Sequence, residues 1–424
     1  MRVVYDISVL GAGHRSSLSR TGIYRCVENV AEGLVASGEC QVALSAIESV
    51  RALNSCLDYL KENPALGGVP LLRGIADRRV VRWLSAPVAS LDRRGELGLP
   101  AKVVRRALTT ALRGVERAVG PAAGELEDAD VFHSPCWPLP NPRGGAGAAQ
   151  RFLTIYDLIP VLHPDWFDEH VRRVSGQAYR SITPTDWALC DSQSTKNDLC
   201  EHFGIDPARV FVTYMAAAPE LFHPVADPAR IAAVKAKYGV PDAPYVMSLN
   251  TLEPRKNMDH AIRAFTRLVA QERGLELRFL LVGGKGWHYG KVFEALEAAG
   301  PLRDRIIMPG YVADEDLAAL YSGASAFVYP SLYEGFGLPP LEAMQCGVPV
   351  ITSNTSSLPE VVGDAGILLD PNDADGLSQA MLEVCSRPAL RESMSARSLA
   401  RARQFSWERC TRETLAAYRT ALGR

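Results

Sequence analysis

Two glutamates eight positions apart, Glu334 and Glu342, flank the stretch of this chain whose residue types could hold a phosphorylated ligand. Between them lie a Gly-Phe-Gly loop and a Pro-Pro pair, and the prolines predict the start of a helix. The N–H groups of such a loop and of a helix N-terminus attract anions. A carboxylate at each end can accept hydrogen bonds from neutral hydroxyls. This pattern predicts a site for a nucleotide sugar, with phosphates in the middle and hydroxyls at both ends.

The predicted helix begins at the proline pair and ends at Gly347, before a strand predicted over 348–352. Glu342 then lies in the first helical turn, where the helix dipole favours a negative charge. We expect Glu342 to accept hydrogen bonds from a ribose diol, and Glu334, at the mouth of the loop, to accept them from a hexose hydroxyl. The alternative is a capped helix with two surface acids. It does not explain why a Gly-Phe-Gly loop, a proline pair and a following strand occur together here.

Arg255 and Lys256 form a second candidate site, between a strand predicted over 245–249 and a helix predicted over 258–271. Ligands of open α/β sheets bind at the carboxyl ends of the strands. Arg255 could fork two phosphate oxygens, and Lys256 could add a point charge as a diphosphate leaving group becomes more negative. The alternative is a solvated helix start, but positive charge is unfavourable at a helix N-terminus.

Two glycine-rich turns give weaker signals. Gly283 to Gly286 follow the apolar run 279–282, but they lack the GxGxxG spacing and the GK[ST] ending of dinucleotide and P-loop sites. In the first strand-to-helix connection, from Gly11 to Gly22, the triplet Thr21-Gly22-Ile23 could start a helix that points at phosphate from the opposite domain. An ordinary turn and a structural helix cap remain open as alternatives.

The composition argues against several other classes of protein. The 424 residues carry a net charge of −2, which gives no sign of a nucleic-acid partner. Nine cysteines without a CxxC pair favour a reducing cytosol. The first residues predict a buried strand rather than a signal peptide, and no run of about 18 apolar residues predicts a membrane span. Neither the histidines nor the Asp-x-Asp triplets at 128–130 and 373–375 predict a metal site.

The candidate residues need elements that bring them to one place, and apolar runs alternate with helical patterns along the chain. This alternation predicts an α/β protein with two doubly wound parallel sheets and a domain boundary at 220–240. An amphipathic last helix is predicted over 405–422, and a first helix over 21–36. The predicted strands are 3–9, 131–133, 151–155, 187–190, 245–249, 277–282, 306–308, 326–329, 348–352 and 366–368.

Residues 73–118 stand apart because eleven Arg or Lys are set against only four acids there. Apolar residues such as Trp83, Val103 and Leu112 are interleaved with the basic ones. Apolar burial combined with attraction to anionic lipid is what a helix on a membrane surface needs. We expect this segment to contact an anionic membrane surface, and an ordinary solvated helix pair is the alternative.

The chain resembles the GT4 family of retaining glycosyltransferases in five segments: EPRKN, GGKGW, GYVADEDLAALY, PSLYEGFGLPPLEAMQCGVPVITSN and SSLPEVVGDAG. It is most similar to the bacterial members that build O-antigen and capsule chains with mannose, through TGIYR and TIYDLIPVLHP. The resemblance implies a GT-B fold, in which two Rossmann-like domains, 1–222 and 223–402, face each other across a cleft. A last helix, within 403–424, would cross back to the first domain.

The resemblance also implies a role for particular residues. Arg255 and Lys256 would hold the pyrophosphate, Glu342 the ribose and Glu334 the hydroxyls of the donor sugar, and Tyr156 and Asp157 would complete the catalytic set. In this family the acceptor would attack from the face that the diphosphate leaves, and the leaving phosphate would take its proton. Such a reaction needs neither a metal nor a protein nucleophile. The donor would lie against Gly22, Asn250, Thr251, Gly283, Tyr311, Val312, Gly335, Phe336, Gly337 and Leu338.

Tyr156 departs from the family, which usually has a histidine beside the donor sugar at this position. Tyrosine could hydrogen-bond a sugar hydroxyl, but it is a weaker proton carrier at neutral pH. Asp157 and His133 are the nearest substitutes, although a single histidine after a strand is more often a packing residue. Asn250 stands where many relatives have glycine and could touch the donor phosphate.

The sequence therefore predicts a cytoplasmic, metal-independent enzyme that transfers a hexose to a saccharide or lipid-linked saccharide at the inner face of the cell membrane. The expected donor is GDP-mannose, and UDP-hexose, GDP-fucose and dTDP-rhamnose remain open. Two other functions remain open as well. One is a nucleotide-sugar epimerase, for which the sequence offers no convincing acid–base pair, and the other is a weakened GT-B subunit that binds a partner enzyme.

Overall fold

Two parallel six-stranded sheets organise the chain, whose computed structural model describes residues 1–15, 22–72, 87–88, 90–91, 98–119, 128–140 and 149–424. The strands are β1 (Arg2–Asp6), β2 (Gln41–Ser45), β3 (Val131–Ser134), β4 (Gln150–Ile155), β5 (Trp187–Cys190), β6 (Val210–Val212), β7 (Tyr245–Leu249), β8 (Arg278–Val282), β9 (Ile306–Gly310), β10 (Ala326–Tyr329), β11 (Val350–Ser353) and β12 (Ile367–Leu369). The first sheet has the order β2-β1-β3-β4-β5-β6 and the second the order β12-β11-β10-β7-β8-β9. We call the parts built on these sheets the first and the second domain.

The connections between parallel strands are crossovers, and most of them contain a helix. The α-helices are α1 (Ser8–Arg15), α2 (Gly22–Ser37), α3 (Val50–Glu62), α4 (Leu99–Val119), α5 (Ile159–Leu162), α6 (Glu169–Tyr179), α7 (Gln193–Phe203), α8 (Pro228–Lys237), α9 (Met258–Gln271), α10 (Gly290–Ala298), α11 (Asp314–Ser322), α12 (Leu338–Gln345), α13 (Leu358–Val362), α14 (Ala374–Ser386), α15 (Pro388–Ala402) and α16 (Trp407–Ala421). Buried apolar residues form one continuous cluster from Val27 in the first domain through Phe222 to Phe327 in the second. The domains therefore share a core where the chain passes between them.

The predicted α/β class with two parallel sheets is confirmed. Each strand predicted for the second sheet lies within two residues of an observed one. The prediction missed β2 and β6, both at the edges of the first sheet. Short edge strands carry a weaker apolar pattern than central ones, because they are less enclosed. The predicted boundary at 220–240 falls between β6 and β7, the region that also contains α8.

The first strand is shorter than predicted, because β1 ends at Asp6 and α1 begins at Ser8. The Asp6 carboxylate accepts hydrogen bonds from the backbone N–H of Ser8 at 3.2 Å and from its hydroxyl at 3.0 Å, which turns the chain at that point. Gly11 belongs to α1 rather than to a loop. A β-carbon there would lie 2.8 Å from Cys56 Sγ, so the glycine allows α1 to pack closely against α3. Residues 16–21 of the predicted connection, which include Thr21, lie outside the described residues.

The last helix, α16, returns to the first domain as predicted and packs against α2. The Tyr418 hydroxyl of this helix lies 2.6 Å from His133 Nδ1, and the Thr154 hydroxyl lies 2.7 Å from its Nε2. Burial lowers the pKa of His133 to about 3, so the ring stays neutral. His133 is therefore a packing residue of the first domain, as its single occurrence after a strand suggested.

Helix α4 is the main described part of the basic segment 73–118, and most of the remainder lies outside the described residues. The valines Val103 and Val104 are 63% and 52% exposed on this helix. Among the described helices, none is long and apolar enough to cross a bilayer.

Candidate active site

The two predicted cations lie in the 3₁₀ turn Pro254–Lys256, which follows β7. Asn257 ends this turn with φ 57°, a left-handed conformation that asparagine adopts more readily than most residues. Its side-chain amide donates hydrogen bonds to the carbonyl oxygens of Pro330 at 3.1 Å and Pro371 at 2.7 Å. The first bond ties the turn to the loop after β10, which carries Glu334, and the second ties it to the segment after β12.

Glu334 is held between the two cations. Its Oε1 accepts a hydrogen bond from Lys256 Nζ at 2.6 Å, and its Oε2 accepts one from Arg255 Nη1 at 2.5 Å. Lys256 also donates to the Tyr329 hydroxyl at 2.6 Å, and Arg255 pairs with Glu253 at 2.8 Å. Residues predicted from two separate motifs thus form one buried charged cluster.

Burial and neighbouring charges shift the pKa values of both Glu334 and Lys256. Burial would raise the pKa of Glu334, but Arg255 and Lys256 hold it at about 2, so the carboxylate stays charged. Burial, together with the charge of Arg255, lowers the pKa of Lys256. Because Lys256 is only 7% exposed, the alternative of a solvated helix start does not describe this turn.

Two glycines of the site, Gly335 and Gly22, lie at close contacts between the two domains. A β-carbon on Gly335 would lie 1.9 Å from the backbone carbonyl oxygen of Tyr156, in the first domain. A β-carbon on Gly22, at the start of α2, would lie 2.7 Å from Leu338 Cδ1 at the start of α12. Gly337 has φ 110°, which side chains rarely allow. The missing side chains let the two helix starts face each other across a narrow cleft.

The loop between the two glutamates is fixed by Ser357. Its hydroxyl lies 3.0 Å from the carbonyl oxygen of Glu334 and 2.7 Å from that of Phe336, within hydrogen-bonding reach of both. The Phe336 ring is buried and packs edge-on against Phe405, with ring centroids 5.9 Å apart. The packing of Phe336 thus anchors the loop in the protein interior.

Glu342 is the fifth residue of α12, so the prediction that it lies in the first helical turn is wrong. The helix begins at Leu338, one residue before the proline pair. Glu342 Oε1 lies 3.4 Å from Arg25 Nη1, and its Oε2 accepts a hydrogen bond from the Tyr321 hydroxyl at 3.1 Å. Burial raises the pKa of Glu342 to about 7, against the opposing effect of Arg25. A cation and a hydroxyl, rather than the helix dipole, therefore stabilise its charged form.

Tyr156 and Asp157 follow β4 and have different surroundings. The Tyr156 hydroxyl is buried inside the first domain beside Cys26, and burial raises its pKa well above the usual value. Asp157 accepts a hydrogen bond from the N–H of Ile159 at 2.9 Å. Burial raises the pKa of Asp157, and the charge of Arg255 opposes that rise. Of the two, Asp157 is the one whose side chain interacts with the charged cluster.

The other predicted donor residues lie at the ends of β7, β8 and β9. A β-carbon on Gly283, which has φ 131°, would lie 1.9 Å from the carbonyl oxygen of Asn250. The Asn250 side-chain amide donates to the hydroxyl of a buried serine at 2.9 Å, within the second domain. Thr251 is exposed, Tyr311 is 72% exposed and Val312 is buried. Among the described residues there is no group of three side chains that could hold a metal ion.

Residues 231–401 match the family model described as glycosyl transferases group 1. The O-antigen chain mannosyltransferase B of Escherichia coli is 37% identical to this chain over 289 residues, which cover 68% of this chain and 74% of that relative. This chain belongs to the group 1 glycosyltransferases. The predicted family and the predicted class of enzyme are thereby confirmed.

A second relative of this glycosyltransferase is the serotype-specific mannosyltransferase WbdA of Escherichia coli, 33% identical over 254 residues. The match covers 59% of this chain and 31% of WbdA. The crystal structure of a glycosyltransferase from Rickettsia africae ESF-5 is similar with a TM-score of 0.64 at 17% identity, covering 99% of this chain and 98% of that one. The predicted GT-B fold is confirmed by this likeness.

Sequence analysis of this glycosyltransferase missed three residues of the site: Arg25, Tyr321 and Ser357. Arg25 could have been recognised from the sequence, because it lies in the first turn of α2, where the helix dipole disfavours a cation. The same argument had singled out Arg255 and Lys256. Tyr321 and Ser357 carried no such signal, because their contacts with the glutamates depend on how α11 and α13 pack.

Proposed function

We propose that this glycosyltransferase transfers mannose from GDP-mannose to a saccharide or lipid-linked saccharide during synthesis of a cell-surface polysaccharide in the cytoplasm. The observation that carries the proposal is the Glu334 carboxylate held between Arg255 and Lys256. An acid suited to sugar hydroxyls lies here beside two cations suited to phosphate. Mannose as the sugar is supported by the similarity to the two Escherichia coli mannosyltransferases.

The cluster suggests how the reaction proceeds. Arg255 and Lys256 would bind the diphosphate of the donor, and Glu334 would then accept hydrogen bonds from the sugar. As the glycosidic bond breaks, negative charge grows on the leaving phosphate, and the two cations stabilise it more strongly than they stabilise the ground state. Because the protein supplies this positive charge, we propose that the reaction needs no metal. The acceptor hydroxyl would attack from the face that the diphosphate leaves and pass its proton to the leaving phosphate, which retains the anomeric configuration.

Asp157 is our candidate for the protein group that faces the donor sugar in place of the family's histidine. Its carboxylate interacts with Arg255, whereas the Tyr156 hydroxyl is enclosed in the first domain. Tyr156 would contribute through its backbone, which contacts Gly335. Replacing Asp157 with Asn should therefore reduce turnover more than replacing Tyr156 with Phe.

A panel of nucleotide sugars tests the proposed donor. Purified protein should release GDP from GDP-mannose slowly without an acceptor and faster with a mannose-containing oligosaccharide, and a metal chelator should leave both rates unchanged. The anomeric configuration of the product, measured by NMR, should match that of the donor. Glu334→Gln, which keeps the volume of the side chain but removes its charge, should still bind GDP and lose transfer.

Each other outcome points to a specific alternative. Transfer from UDP-hexose, GDP-fucose or dTDP-rhamnose in place of GDP-mannose would overturn the donor. Conversion of the sugar without transfer would favour an epimerase, and nucleotide binding without any turnover would favour a weakened partner subunit. If calorimetry shows no binding of any nucleotide, the enzyme proposal fails.

We also propose that α4 contacts an anionic membrane surface, which would place the enzyme at the inner face of the cell membrane. Lys102 and Arg106 are exposed on this helix beside the exposed valines Val103 and Val104. Sedimentation with anionic vesicles at low salt should capture the protein, and the double variant Lys102→Glu, Arg106→Glu should weaken capture several-fold. Arg267→Glu, an exposed change on the second domain, is the control. Equal capture by neutral and anionic vesicles contradicts the proposal.

A further inference from the structure

Arg25 reaches across the cleft from α2 to two acids of the second domain. Its Nη2 donates to Asp314 Oδ2 at 2.6 Å, and its Nη1 lies 3.4 Å from Glu342 Oε1. The guanidinium carbon lies 5.7 Å from the centre of the Phe222 ring, in the segment that joins the domains. Arg25 thus contacts the second domain at Glu342, the acid predicted to hold the ribose.

The position of Arg25 is unfavourable for a cation unless the second domain supplies the acids. The residue lies in the first turns of α2, near the positive end of the helix dipole. Its side chain is only 21% exposed, so water provides limited compensation. Glu342 and Asp314 nevertheless raise the pKa of Arg25 above its usual value, against the effect of burial. The contact therefore favours the arrangement of the two domains seen in this structure.

Four groups act on the Glu342 carboxylate from the elements around it. Arg25 approaches from α2, Asp314 from the start of α11, Tyr321 from later in α11, and Cys346 from the residue after α12. Of these four, Arg25 carries the one positive charge. Tyr321 donates a hydrogen bond, and Asp314 adds a like charge. Arg25 is therefore the member of this set that favours ionisation of Glu342 by its charge.

We propose that Arg25 is a positioning residue that keeps Glu342 ionised and holds the first domain against the nucleoside end of the donor site. The inference rests on the proposed function, because it takes the ribose diol as the ligand of Glu342. An ionised carboxylate offers acceptors for both hydroxyls of a diol, whereas a protonated one offers a donor in place of an acceptor. Loss of Arg25 should therefore weaken donor binding in a way that depends on pH.

Calorimetric titration with GDP alone, between pH 6 and pH 9, measures this dependence. The affinity of the unaltered enzyme should fall as the pH drops through the pKa of Glu342, about 7. Arg25→Gln should move the midpoint upward by about one pH unit, because an opposite charge at this distance shifts a carboxyl pKa by at least that much. The affinity at pH 7 should then fall about fivefold, because the ionised fraction of Glu342 falls from about one half to about one tenth, and it should recover by pH 9. Titration of the GDP phosphate is common to all variants and cancels in the comparison.

Three variants separate this role from a general loss of structure. Arg25→Lys keeps the charge and should retain most of the original midpoint. Glu342→Gln should bind GDP weakly, with only the pH dependence that the GDP phosphate itself contributes. Glu360→Gln alters a different contact between the domains, with the N–H groups of Gln193 and Ser194, and should leave the midpoint in place. Circular dichroism melting curves show whether each variant is folded.

The two proposals fail in different ways. If the unaltered enzyme binds neither GDP nor UDP, the proposed function fails and this inference falls with it. If the unaltered enzyme binds GDP and folded Arg25→Gln shows the same affinity and the same midpoint, only the inference about Arg25 is overturned.

Discussion

At the scale of single residues, the site is defined by buried charges that compensate one another. Glu334, Arg255 and Lys256 are all removed from water, and each has an oppositely charged partner within hydrogen-bonding distance. Buried ion pairs often contribute little net stability, because desolvation offsets their attraction. A function in ligand binding is therefore a better explanation of this cluster than stability is.

Removing Lys256 should affect turnover far more than binding. In Lys256→Ala we expect kcat to fall at least 100- to 1000-fold, because a contact to the leaving phosphate strengthens as charge develops. Single-turnover assays with saturating donor measure the chemical step directly. Lys256→Met, which fills more of the space, shows whether the loss comes from a cavity rather than from the charge.

Lys61→Ala is the matched control, because this lysine is exposed on α3 in the first domain. Its turnover should equal that of the unaltered enzyme. Turnover within a few-fold of normal in folded Lys256→Ala would refute the role in leaving-group stabilisation.

At the scale of elements, glycines determine how closely the two domains approach. The loop after β10 meets the end of β4 at Gly335, and the starts of α2 and α12 meet at Gly22. The positive ends of two helix dipoles that face each other favour an anion in the cleft, although Pro339 and Pro340 leave α12 with fewer free N–H groups than α2. A larger side chain at such a point would act as a spacer between the domains.

Gly335→Ala should therefore separate the catalytic groups without unfolding the protein. The β-carbon of the alanine would lie 1.9 Å from the Tyr156 carbonyl oxygen, which is too close for non-bonded atoms. The two domains would therefore have to move apart at this point. A displacement of about 1 Å between reacting groups costs about 100-fold in rate, and we expect at least that loss of turnover. Gly274→Ala, where the space is open and φ is not positive, is the control for activity and melting temperature. Normal turnover in Gly335→Ala would show that the close approach is not needed.

At the scale of the whole molecule, contacts on both sides of the cleft hold the domains together. Glu360 of the second domain accepts hydrogen bonds from the N–H groups of Gln193 at 2.8 Å and Ser194 at 2.9 Å, at the start of α7. Tyr333 donates to Asp198 of the same helix at 2.6 Å. The last helix also connects the domains. It follows the second domain in the chain, and its buried side chains belong to the core of the first domain.

Tyr418→Phe should destabilise the first domain although the change lies in the last helix. It would leave His133 Nδ1 without its partner in the interior, and a buried polar group left unpaired costs about 1–3 kcal/mol. Urea unfolding at pH 7 measures the change in the free energy of unfolding. Tyr311→Phe, at an exposed position, is the control and should shift it by less than about 0.5 kcal/mol. Equal stability of the two variants would contradict the prediction.

The sequence predicted the parts of the site that lie within one local motif. Glu334 with its loop, and Arg255 with Lys256, belong to strand-to-helix connections whose turn residues can be recognised without a structure. The start of α12 was misplaced by one residue, because proline tolerates several positions in a first turn. Contacts such as Arg25 with Glu342 and His133 with Tyr418 could not be predicted, since they join residues 317 and 285 positions apart.

The return of α16 to the first domain has a consequence for how the chain folds during its synthesis. The strands of the first sheet end at Val212, yet the helix that covers part of their core, Trp407–Ala421, is made about 200 residues later. At ribosomal rates of about 5–20 residues per second, this leaves roughly 10–40 s in which an apolar surface of the first domain stays uncovered. The second domain is complete before the first, so the order of folding differs from the order of synthesis.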